Sequence, residues 1–128
     1  MTETKESQAL RAGQIWLYKT RTGEANSRLT ILKTETHPKL GSIIHISVKG
    51  LEMNNRRVAG GVSSAIGHIP CQEMALRESL VSMVGQADTA PDLAGYDIWK
   101  EAFNQGRAGI WTIPVSDVIA AIEQVSSQ

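Results

Sequence analysis

The sequence predicts an α+β fold: an antiparallel, partly barrel-like sheet from the N-terminal half, packed with about three helices from the C-terminal half. Three observations predict it. Residues 13–49 hold three runs rich in β-branched and aromatic residues, each ending in turn chemistry. Beyond residue 70 apolar residues recur mostly at helical spacing. Pro70, Gly85, Gly106 and Pro114 punctuate those helical stretches.

Residues 1–10 are polar and read as a disordered tail, leaving 11–128 as a single domain. The first strand, residues 14–19, sets Ile15 and Leu17 on one face and Trp16 and Tyr18 on the other. A loop over 20–27 follows, longer than a tight hairpin needs. In the second strand, 28–33, Leu29 and Ile31 oppose Thr30 and Leu32. The next loop, 35–41, has Pro38 holding His37 extended and Gly41 returning the chain to the sheet. In the third strand, 42–48, Ile44, Ile46 and Val48 form an apolar face, while Ile43, His45 and Ser47 form a mixed one. One apolar and one mixed face suit a meander packed on helices.

Residues 53–65 read as a soft segment and 66–69 as a short fourth strand. Pro70 fits the first turn of a helix over 71–84, with Leu76, Leu80 and Val84 on one stripe. A linker over 86–92 leads to a helix at about 93–105, with Tyr96, Trp99 and Phe103 on one side. Residues 109–113 read as a strand returning to the sheet. Pro114 opens a last helix bearing Val115, Val118, Ile119, Ile122 and Val125.

Composition narrows the function. No apolar run approaches the roughly 20 residues of a membrane span, and the N-terminus lacks a signal-peptide core. The single cysteine rules out an internal disulfide framework. A cytoplasmic protein with no membrane partner is expected; oligomeric state is not legible. The net charge of zero hides a split. Residues 1–70 hold ten Lys/Arg and five Asp/Glu, whereas residues 71–128 hold three and eight. Either the halves pack on each other, or one charged surface meets a partner.

Catalytic chemistry has one candidate constellation, Cys71 with His68. A thiol at a helix N-terminus is lowered in pKa, and a nearby His could serve as its base. The bland alternative is a small buried cysteine. His37, His45 and His68 lie apart without metal-ligand spacing, so no metal is expected. Gly60-Gly61 lacks the Lys-Ser/Thr of a phosphate loop, and no cofactor motif occurs. Glu24, Glu35 and Glu52 are available carboxylates, but their spacing specifies no geometry. For nucleic acid, Trp16 and Tyr18 could stack bases if their face were open, with Lys19, Arg21, Arg28, Lys33, Lys39, Arg56 and Arg57 for phosphates. The residues best placed to meet a partner are Arg21, Glu24 and Arg28 in or beside the first long loop, His37 and Lys39 in the second, and His45 on the mixed sheet face.

Gly13-Gln-Ile-Trp-Leu, a charged Gly-containing loop and Arg28-Leu-Thr-Ile-Leu resemble the opening of SH3-like barrel proteins of the PemK/MazF toxin type. The resemblance implies an RNA-cleaving role for Arg28, although the proline that follows this arginine in the family is Leu29 here. A longer pattern runs through Gly-Gln-Ile-Trp, Thr-Arg-x-Gly-Glu, Ser-Arg-Leu-Thr, Ile-His-Ile-Ser-Val, His-Ile-Pro, Gly-Tyr and Ala-Gly-Ile-Trp-Thr-Ile. It is similar to that of small uncharacterised bacterial proteins and implies no activity. In size and neutral character the chain is also similar to immunity proteins and other small inhibitors.

The leading expectation is a non-enzymatic interaction protein that binds, and in the inhibitor reading blocks, a protein partner. The alternatives are an RNA-binding or RNA-cleaving SH3-like domain and an enzyme using Cys71.

Overall fold

The computed structural model describes residues 8–128. Most of the expected tail, residues 1–7, lies outside them; Leu10 is buried in the core.

The fold is α+β. Five strands form one antiparallel sheet: β1 (Gln14–Tyr18), β2 (Arg28–His37), β3 (Gly41–Asn54), β4 (Val62–Gln72) and β5 (Leu80–Gln86). Their spatial order is β4-β3-β2-β1-β5, an open sheet and so only partly barrel-like. Three helices accompany it: α1 (Glu73–Ser79), α2 (Ala94–Asn104) and α3 (Val115–Ser126). Among the described residues no helix is long and apolar enough to cross a membrane.

The helices divide between the two faces. Ile44, Ile46 and Val48 of β3 pack with Trp16, Leu29 and Ile31, and α1 and α3 close this core with Leu76, Val118 and Ile119. On the opposite face Ile43 meets Tyr96 and Trp99 of α2. The two-residue alternation of β3 therefore serves two cores at once.

Several boundaries differ from the expected ones. The loop expected over 35–41 is a tight hairpin, because β2 runs on to His37 and Gly41 restarts the chain at φ +76°. The soft segment 53–65 is short: β3 and β4 pair as far as Asn54 and Val62. Pro70 does not open a helix. It lies within β4 opposite His45, and its carbonyl accepts from Trp111 N–H at 2.9 Å. A proline is tolerated on such an edge strand because it withholds only an outward N–H.

The helix expected over 71–84 stops at Ser79, and 80–86 is a strand. Val81 and Val84 are β-branched, and β1 would otherwise present an unpaired edge beside Trp16 and Tyr18; β5 pairs with it from Gln14 to Tyr18. The strand expected over 109–113 reduces to one parallel bridge between Cys71 and Trp111. Helices α2 and α3 lie where the apolar spacing put them.

Candidate functional site

The outer sheet face holds the polar cluster of interest. It depends on a bulge in β2. Ile31 pairs with Ile46 but Lys33 pairs with His45, so Leu32 is an inserted residue. Strict alternation would carry Lys33 and Glu35 onto the face of Leu29 and Ile31, into the core. The extra residue turns them to the face of His45. A second irregularity lies in β4, where Ile69 and Ile66 pair with Ile46 and Val48 across one residue too many. His68 then falls on the same outer face.

The result is a chain of three side chains. His45 Nε2 lies 2.9 Å from Glu35 Oε1, and His45 Nδ1 lies 2.8 Å from His68 Nε2. A carboxylate only accepts, so Nε2 of His45 carries the hydrogen and donates it. Neutral His45 then accepts at Nδ1, which requires His68 to donate from Nε2. His68 Nδ1 is left with a lone pair. It makes no hydrogen bond among the described residues, and no buried side-chain polar atom there lacks a partner. That nitrogen therefore opens to solvent.

Helix α2 roofs the chain. Tyr96 donates its hydroxyl hydrogen to Glu35 Oε2 at 3.0 Å, and Lys100 Nζ donates to the same oxygen at 3.2 Å. The His45 ring lies 4.7 Å from Tyr96 and 4.8 Å from Trp99, both edge-on. Lys33 Nζ sits 5.3 Å over the Tyr96 ring. Gly95 makes the close roof feasible, because a Cβ there would stand 2.7 Å from His68 Cβ.

These contacts set the protonation states. Burial works to raise the Glu35 pKa, but hydrogen bonds from His45, Lys100 and Tyr96 outweigh it and hold the carboxyl below its usual range. Burial lowers His45, and Glu35 offsets only part of this. Burial, and then the neighbouring His45, take His68 down to about 4. Tyr96 is pushed up to about 12 by burial and by its carboxylate acceptor. At neutral pH the site therefore contains a carboxylate and two neutral imidazoles.

Beside His68 the outer face opens into a groove of about 470 Å³. Its floor is the sheet, with Ile15, Thr30, Ser47 and Lys49; its roof is the connection 87–92 and Gly95. No family model, curated protein or solved structure matches the chain. What the site can do therefore follows from its own geometry.

The expected site residues separate into groups. His45 and His68 meet, but His45 is fully buried and acts inside the chain rather than on a partner. Arg21 and Glu24 pair at 2.7 Å, and Arg21 also reaches Glu123 of α3 at 2.9 Å. Arg28 stands opposite Lys49 on the outer face. His37 and Lys39 occupy the β2–β3 turn, where His37 Nδ1 accepts from the N–H groups of Lys39 and Leu40.

Cys71 is not the partner of His68. It lies in the inner core, opposite Ile44, while His68 faces outward. Burial pushes its thiol up to about 12, far from thiolate chemistry. Trp16 and Tyr18 also belong to the inner core, at 0% and 4% exposure, so they form no stacking platform. Glu35, Tyr96, Trp99 and Lys100 complete the site without having been expected there. Tyr96 and Trp99 were legible as one helix stripe, but not as the roof of a histidine pair.

Proposed function

We propose that the protein is a non-enzymatic binding protein that takes a segment of a partner protein in the groove between the outer sheet face and residues 87–92. The observation that carries this reading is the groove itself. Its volume of about 470 Å³ is that of a ligand site. Its floor mixes apolar surface with the hydroxyls of Thr30 and Ser47 and the cation of Lys49, its roof carries the carboxylate of Asp92, and two of its lining residues, Gly67 and Gly95, flank His68 at the end of the Glu35–His45–His68 chain.

The protonation states favour recognition over catalysis. His68, with a pKa near 4, stays neutral at physiological pH and offers a steady acceptor. It is a weak general base there, since efficient bases have a pKa near the working pH. The interior thiol of Cys71 supplies no nucleophile. If the bound segment belongs to a partner's own active surface, binding would also inhibit it.

The test is a groove-filling variant. Ser47→Trp places an indole on the groove floor, whereas Ile98→Glu alters the exposed side of α2, where Ile98 is 75% accessible. Partner capture from source cells is expected to fail with Ser47→Trp and to persist with Ile98→Glu. Capture unaffected by Ser47→Trp overturns the reading.

A further inference from the structure

Residues 88–110, which carry α2, form a flap clamped at both ends. Ala87 N–H donates to Gly13 O at 2.7 Å, and Trp111 N–H donates to Pro70 O at 2.9 Å. Between these clamps, among the described residues, the flap's backbone hydrogen bonds stay within the flap. Its side-chain hydrogen bonds to the rest of the molecule come from Tyr96 and Lys100, and both end on Glu35. The indole of Trp99 donates to Gly109 O inside the flap. No flap residue belongs to the inner core; its apolar side chains gather around Ile43 on the outer face instead.

The flap covers the histidines. All three histidines of the chain touch α2. His45 and His68 lie against Tyr96 and Trp99, and His37 meets Phe103 edge-on, with ring centroids 5.4 Å apart. The rings of His45 and His68 are stacked, and 2.8 Å separates His45 Nδ1 from His68 Nε2. A gap of that length holds one hydrogen. The pair can therefore accommodate one added proton, with the charge shared between the rings. A second would set two N–H groups head to head. The charged and titratable groups facing the pair are Lys33 and Glu35 from β2 and Tyr96 and Lys100 from α2. Asp97 acts on Tyr96, and Asp92 is engaged by the N–H of Ala94 at 2.9 Å. Glu35 already faces two lysines, so a doubly charged pair would lack a counter-ion.

We propose that residues 88–110 are an acid-released flap: when His45 and His68 both take protons, α2 lifts from the outer face while the inner core and its sheet stay folded. Two histidines freed to water hold one proton each below about pH 6.5. Both are depressed when docked, so the released state binds more protons and gains as pH falls. Opening a unit with so few ties to the rest costs less than unfolding the core. Release would open the groove whatever it binds, because residues 89–92 and Gly95 are its roof.

The test labels the protein with fluorotryptophan and follows Trp16, Trp99 and Trp111 by fluorine NMR between about pH 7 and about pH 4. The Trp99 signal is expected to move to that of a solvent-exposed indole, while Trp16, at 0% exposure, keeps its native signal. The ratio of released to docked flap should rise about ten- to hundredfold per pH unit, for one to two extra protons bound. His68→Gln keeps an amide donor for His45 Nδ1 but takes no proton. It should lower the pH of release and limit the rise to about tenfold per unit. Trp16 and Trp99 changing together would mean global acid unfolding and overturn the flap, as would a Trp99 signal unmoved at the acid end. Release at the same pH and steepness in His68→Gln overturns the histidine pair as its trigger. Should that variant not fold, the unsubstituted protein decides between flap release and global unfolding on its own.

Discussion

At the scale of residues, the outer face turns on Glu35, which satisfies three donors from three different side chains. Glu35→Ala would leave Nε2 of the fully buried His45 and the Tyr96 hydroxyl without their acceptor. The expected loss is about 2–3 kcal/mol of unfolding free energy, measured by urea titration. Tyr96→Phe removes one donor and should cost about 1 kcal/mol. The pH dependence follows from the histidines. His45 and His68 are depressed in the folded state, so the unfolded chain binds more protons below its ordinary histidine pKa of about 6.5. Stability should be complete above that value and fall as pH drops towards about 4, where His68 titrates in the fold. The groups facing this pair are Lys33 and Glu35 from β2 and Tyr96 and Lys100 from α2. Glu35, itself depressed, extends the loss below the usual carboxylate range. Thermal melts at successive pH values check this, and His68→Gln should flatten the slope between 6.5 and 4. An unchanged slope would show that His68 is not depressed.

At the scale of elements, two local irregularities decide which face carries the chemistry. The alternation of β3 was readable, because Ile44, Ile46 and Val48 against His45 is a plain period of two. The bulge at Leu32 was not, since an inserted residue leaves no mark on a run as apolar as Leu-Thr-Ile-Leu. From the sequence alone Glu35 is consequently a loop carboxylate without geometry. The segment 71–84 misled for a related reason. Leu76 and Leu80 fit a helix, yet the β-branched residues after Leu80 find backbone partners along β1, a non-local gain that no local window contains. Gly95 tests the docking of α2. Helix propensity alone predicts that Gly95→Ala stabilises by about 1 kcal/mol. Here the new methyl would meet His68 Cβ at 2.7 Å, so the expected result is a net loss of about 1–3 kcal/mol. The same variant should disturb the His45 and His68 NMR signals; stabilisation would contradict the close roof.

At the scale of the whole molecule, a second polar network joins the two ends of the chain. Arg21 in the first long loop binds Glu24 and Glu123, and Glu123 also accepts the N–H of Asn54 at the end of β3. Glu24 is 3% exposed and accepts the N–H of Glu52. Arg21→Ala leaves this carboxylate without its cation and should cost about 2–3 kcal/mol by chemical denaturation. Part of the charge split between the halves is thus neutralised internally, where Arg21 of the first loop is held to Glu123 of the last helix. By itself the sequence determined the α+β class, the apolar face of β3, the helices α2 and α3, and which side chains carry charge, because these depend on periodicity and composition within short windows. Only the tertiary structure decided that Cys71, Trp16 and Tyr18 lie inside, that β5 closes one edge, and that Glu35, His45 and His68 form one chain beneath α2. Those outcomes rest on inserted residues and cross-strand register, which join positions far apart along the chain and leave no local trace.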